Sequence, residues 1–83
     1  MKRQDLRACA KEIAGDLERR PYEYWASKQY PIAFENVYRG ESVQTEVDEL
    51  ERKDTYIHLS VSVDTGKGLS AYFPTGTSVV IRK

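Results

Sequence analysis

The sequence predicts an α+β fold. An N-terminal helix, with a second short helix as an option, packs on one face of a mainly antiparallel sheet of four to five strands. Apolar residues recur at helical spacing in the first twenty residues, and from residue 32 the period changes to two. The alternating segments are joined by short connections, which make neighbouring strands antiparallel. With 83 residues, the chain is expected to form one domain over residues 1–83.

The first predicted element is an amphipathic helix, which Pro21 is expected to end because proline disfavours the helical conformation in the residue before it. Its apolar stripe consists of Leu6, Cys9, Ala10, Ile13, Ala14 and Leu17. The segment 21–30 is rich in aromatic residues. The spacing of Tyr22 and Trp25 indicates a second helix of two or three turns, with an irregular aromatic loop as the alternative.

The rest of the chain is predicted to form strands. The first begins at Ile32, and Gly40 marks the turn after it. Residues 43–47 alternate as the second strand. Residues 43–51 also fit a helix, but their dense β-branched residues favour the strand.

Alternation is clearest in residues 55–63, which follow a predicted turn at Lys53-Asp54. One face carries Ile57, Leu59, Val61 and Val63, and the other carries Tyr56, His58, Ser60 and Ser62. Residues 64–68 are predicted to be a hairpin loop, and residues 69–73 a further strand. Residues 74–76 are predicted to turn the chain into a last strand, 77–82. Its apolar residues on both faces predict that it lies inside the sheet or is covered on both sides.

One helical layer can cover only one face of this sheet, so the opposite face is left to meet water, a ligand or a second copy of the chain. This face is the predicted binding surface, with simple solvation as the alternative. Its residues are Tyr56, His58, Ser60, Ser62, Glu46 and Asp48. The chain is neutral overall, with 13 basic and 13 acidic residues, yet residues 35–54 carry seven acids and three bases, a net charge of −4. Such a segment is typical of a protected edge strand or of a docking surface for a basic partner.

A second hypothesis is a protein that binds single-stranded nucleic acid through segment 19–30, where rings alternate with cations that could meet bases and phosphates. Its predicted contacts are Arg19, Arg20, Tyr22, Trp25 and Lys28. The zero net charge argues against nucleic acid as the partner.

The sequence contains no pattern that indicates catalysis, a metal site or a cofactor. Asp64-Thr65-Gly66 resembles the Asp-Thr-Gly of retroviral-type aspartic proteases, but only over three residues that are also common in hairpin loops. His58 is the only histidine, and Cys9 is expected to be a small core residue.

These observations favour a small protein–protein interaction module without catalytic activity, such as an accessory, inhibitor or immunity-type protein. Its partner is a protein, and a homodimer is a further prediction. The single cysteine and the absence of a long apolar run predict a cytoplasmic protein that is not in a membrane.

Overall fold

The computed structural model describes residues 2–66 and 75–83 and confirms the α+β architecture. The elements are α1 (Arg3–Leu17), α2 (Tyr22–Ala26), β1 (Ile32–Tyr38), β2 (Glu41–Arg52), β3 (Tyr56–Asp64) and β4 (Thr75–Arg82). The four described strands form one antiparallel sheet in the order β1-β2-β3-β4, so each strand pairs with the next in sequence. The strand predicted over residues 69–73 lies outside the described residues.

Helix α1 ends at Leu17, about one helical turn before Pro21, so the prediction that Pro21 ends it is wrong. The amides of Arg19 and Arg20 bond the carbonyls three residues earlier, at 3.1 and 3.3 Å, which tightens the chain into a turn. The indole N–H of Trp25 donates to the Leu17 carbonyl at 2.8 Å and satisfies the helix end. Pro21 instead caps α2, which is one short helix of five residues rather than two or three turns.

The hydrophobic core lies between α1 and one face of the sheet, which we call the inner face. All six residues of the predicted helical stripe are buried, as the periodicity requires. They pack against Val43, Val47, Ile57, Leu59, Val61, Val63, Val79 and Ile81. Cys9 is fully buried in this core, and burial raises the pKa of its thiol, so it serves as a small apolar residue.

The structure decides between the two interpretations of residues 43–51, which form part of strand β2. The preceding turn contains Arg39 and Gly40, both with positive φ, of 52° and 80°. A two-residue hairpin turn of this kind needs both residues in the left-handed conformation, and the turn predicted at Gly40 is confirmed. The turn at Lys53 is closed by its amide, which bonds the Tyr56 carbonyl at 2.9 Å.

Two predictions about the last strand are wrong. Thr75 and Gly76 belong to β4 rather than to a turn, because Thr75 is buried opposite Val63 and Gly76 pairs with Ser62. A Cβ at Gly76 would lie 3.0 Å from the Val61 carbonyl oxygen, so glycine here serves close strand packing. Among the described residues, strand β4 is also neither covered on both sides nor inside the sheet, since Val80 is 41% exposed on the face away from α1 and β4 is the last strand in the order.

Candidate interaction surface

The six residues of the predicted binding surface lie together on the sheet face opposite α1, which we call the open face. Strands β2 and β3 position them, because Glu46 pairs with Ser62 and Asp48 pairs with Ser60. Alternation along β3 adds Tyr56 and His58 to the same side, while the odd-numbered residues of that strand are buried. The open face also includes Ala33, Glu35, Val37, Ser42, Gln44, Glu51, Asp64, Gly76, Ser78, Val80 and Arg82.

Five carboxylates lie together on the open face, three along β2 and one on each neighbouring strand, and we call this group the acidic stripe. Its members are Glu35, Glu46, Asp48, Glu51 and Asp64. Glu35 and Asp64 flank Gln44 in one row across the strands, and Glu46, Asp48 and Glu51 occupy the following rows. Successive rows on one face of a strand are ~7 Å apart, so the stripe spans four rows and ~20 Å. Among the described residues of the open face, Arg82 is the only lysine or arginine.

A β-bulge extends the acidic stripe. The pairing of β2 with β3 shifts between Glu49 and Glu51, so Leu50 is the extra residue and is 57% exposed. Without the bulge, strict alternation would place Leu50 opposite His58 and Glu51 on the inner side. The bulge instead places Glu51 opposite His58 on the open face.

The acidic stripe is poorly neutralised within the part of the chain that the structure describes. Glu35 accepts a hydrogen bond from the Gln44 amide nitrogen at 2.6 Å. Asp48 accepts one from the Glu49 backbone amide at 2.8 Å. No hydrogen bond or ion pair involves the Glu46 carboxylate among residues 2–66 and 75–83. The ion pairs of these residues, such as Arg39 with Asp5 at 2.8 Å, lie off the open face.

The Tyr56 hydroxyl donates a hydrogen bond to a carboxylate oxygen of Glu51 at the end of the stripe. This bond raises the pKa of the Tyr56 phenol, because the carboxylate accepts from the protonated form. The bond fixes a half-exposed ring beside the acidic stripe. Tyr56 is therefore presented in a defined orientation rather than as a free side chain.

Small side chains surround Glu46 and make the centre of the open face flat. A shallow depression of about 310 Å³ is lined by Ala33, Gln44, Thr45, Glu46, Ser62 and Asp64. Its walls carry two carboxylates and no cation among the described residues. The depression is therefore acidic within the part of the chain that the structure describes.

His58 and Asp64 are the open-face residues that the sequence analysis considered for chemistry. Among the described residues, the His58 side chain makes no hydrogen bond, and no group of three or more potential metal ligands occurs. The Asp64 carboxylate accepts the Gly66 amide at 2.7 Å, a local bond two residues along the chain. Gly66 has a φ of 72°, and residues 67–68 of the hairpin loop predicted over residues 64–68 lie outside the described residues.

The aromatic and basic segment 19–30 is used largely for packing. Trp25 is 8% exposed and bonded to Leu17, so its ring is not open for stacking. Tyr22 is half-buried, and its hydroxyl donates to the Lys53 carbonyl at 2.8 Å. Arg20 and Lys28 lie 4.9 and 4.4 Å from the Tyr24 ring centroid and occupy that ring as cation–π partners. Arg19 is exposed and pairs with Asp16.

The sequence analysis placed the central residues of the open face correctly, but its predicted surface left out some of the carboxylates on that face. Glu35 and Asp64 lie far from Glu46 in sequence and join it only through strand pairing. Alternation on β1 and β3 was the signal that could have placed them there. Of the acidic residues near Glu46, Glu49 turns to the inner side and bonds Arg52 at 2.6 Å.

No protein-family model, curated protein or solved structure matches this chain. Among the described residues, α1 and α2 are both too short and too polar to cross a membrane.

Proposed function

We propose that this protein is a small cytoplasmic interaction module that binds a protein partner through the open face and has no catalytic activity. One observation carries the proposal. Glu46, Asp48, Tyr56, His58, Ser60 and Ser62 form one continuous surface that no helix covers in the part of the chain that the structure describes. A surface built from two adjacent central strands is rigid, so it can meet a partner without ordering a loop.

The distribution of charge supports binding over simple solvation. An antiparallel sheet often leaves one face to water, and scattered charges of both signs suffice for that. Here a chain with 13 basic and 13 acidic residues concentrates five carboxylates on one face. Neighbouring like charges on a sheet cost stability, and a partner that supplies cations would offset that cost.

Homodimerisation remains a prediction, and the charge of the open face limits how it can occur. A two-fold dimer uses the same patch on both copies, so pairing through the open face would bring one acidic stripe against another. Edge strand β1 is the alternative surface, since Phe34 is 39% exposed and Val37 is 73% exposed. Its edge could pair with a second copy, and Glu35 is the only member of the acidic stripe that lies on that strand.

The proposed function is tested with Tyr56→Ala combined with His58→Ala. Both side chains are half-exposed on the open face, so the variant is expected to keep its fold, with a urea midpoint lowered only slightly by loss of the Tyr56–Glu51 hydrogen bond. Partner capture from the source cell is expected to fall relative to wild type. Arg7→Ala with Lys11→Ala, on the exposed side of α1, is the matched control. Equal capture by wild type and both variants would contradict the proposal.

Single-stranded nucleic-acid binding is the second candidate, and the exposed Arg19, Arg20 and Lys28 support it. It receives less support than protein binding because Trp25 is buried and the Tyr24 ring already has two cationic partners. The open face offers phosphate groups only repulsion, so nucleic acid would need the other side of the molecule.

A further inference from the structure

We infer that the partner of the open face presents lysine or arginine residues on an extended segment that lies along the acidic stripe. This inference rests on the proposed function, because it names the chemistry of the partner at that same surface. It follows from charge complementarity. The stripe carries carboxylates in four successive rows and, among the described residues, is opposed by Arg82 alone.

The spacing of the stripe fits an extended partner. Glu46 and Asp48 are two residues apart on one strand, so their side chains lie ~7 Å apart. Side chains at alternate positions of an extended chain have the same spacing. Cations at every second position of a partner segment would therefore meet one row of the stripe each.

The surroundings of the stripe leave room for such a segment. Ala33 and Ser62 flank Glu46, and the depression between them has carboxylates on two sides. The Glu46 carboxylate has no hydrogen-bond partner within the described ranges, so a cation can bind it without breaking an existing bond.

The test compares two variants with the same change in net charge. Glu46→Gln with Asp48→Asn neutralises the centre of the stripe, and the asparagine keeps the oxygen that accepts the Glu49 amide. Glu12→Gln with Glu18→Gln neutralises two exposed carboxylates at α1 and serves as the control. The probe is a fluorescent oligolysine peptide, with binding followed by anisotropy at low salt and at physiological ionic strength. An oligoglutamate peptide is the control for charge sign.

Wild type and the Glu12/Glu18 control are expected to bind oligolysine equally. The Glu46/Asp48 variant is expected to bind it about two- to thirtyfold more weakly, as two exposed charge contacts are lost. The affinity should fall with added salt, and oligoglutamate should not bind. Equal binding by all three proteins, or no binding by wild type, would overturn the inference.

Partner capture separates this inference from the proposed function. If capture is lost with Tyr56→Ala and His58→Ala but unchanged with Glu46→Gln and Asp48→Asn, the face binds a partner that is not basic. If neither variant changes capture, the proposed function itself fails. Salt-sensitive self-association of wild type that the Glu46/Asp48 variant abolishes would assign the face to a second copy, and the inference of a different basic partner would be wrong.

Discussion

A buried hydrogen bond between β1 and β2 yields the sharpest prediction about stability. Thr45 is 3% exposed, and its hydroxyl donates to the Asn36 side-chain oxygen at 2.8 Å. Asn36 is half-buried and can reach water, whereas Thr45 cannot. Removing the acceptor therefore costs more than removing the donor, although both changes break the same bond.

The magnitudes follow from this asymmetry. Asn36→Ala leaves a buried hydroxyl without a partner and is expected to lower the free energy of unfolding by ~1–3 kcal/mol. Thr45→Val keeps the shape, removes the hydroxyl and leaves Asn36 to water, so it is expected to stay within ~1 kcal/mol of wild type. In the double variant no buried hydroxyl remains at this position, so Asn36→Ala should cost less than half as much in the Thr45→Val background as in wild type.

Urea unfolding measures all four proteins, with the fluorescence of the single tryptophan, Trp25, as the probe. Trp25 is buried against α1, so its emission reports loss of the core. With a slope of ~1 kcal/mol/M for a small domain, Asn36→Ala should shift the midpoint by ~1–3 M. An equal cost of Asn36→Ala in the wild-type and Thr45→Val backgrounds would refute the reasoning, because the two side chains would then be uncoupled.

Two further predictions concern titration and nucleic acid. Burial raises the pKa of Tyr30 above its ordinary 10.0, and the bond to Glu51 raises that of Tyr56. The folded state thus favours the protonated form of both phenols. This contribution to stability is present at pH values below the ordinary tyrosine pKa, and it is lost as the pH rises through the raised pKa values of the folded state. Absorbance at alkaline pH should show a late phase that Tyr56→Phe and Tyr30→Phe each reduce; an unchanged curve would contradict the assignment. For nucleic acid, we expect no electrophoretic retardation of single-stranded oligonucleotides at low salt, and a shift abolished by Arg19→Ala with Lys28→Ala would establish that alternative.

Periodicity was sufficient to predict the layers of the fold. The helical stripe from Leu6 to Leu17 is buried throughout, and β3 alternates residue by residue between core and open face. These segments follow a single local rule, because one of their faces packs against α1 or the sheet and the other does not. The same rule placed Glu46 and Asp48 on the outward side of β2.

Features that depend on long-range contacts could not be predicted from the sequence. Helix α1 ends at Leu17, where the carbonyl accepts the indole N–H of Trp25, eight residues away, and not at the nearest proline. The bulge at Leu50 places Glu51 on the open face. The residue types around position 50 do not indicate that a bulge occurs there. Gly76 has the appearance of a turn residue, yet its role is to allow close approach to Val61, which only the pairing of β3 with β4 reveals.

The different roles of the two sheet faces explain why binding and stability should be separable in this protein. A 15-residue helix covers only one face, so the core is formed by α1, Trp25 and the inner side chains. The open face contributes little apolar burial, and its carboxylates repel one another. Neutralising Glu46 and Asp48 should therefore leave stability unchanged or raise it slightly while weakening capture of a basic partner. If these carboxylates instead stabilised the folded state, the free energy of unfolding would fall when they are removed.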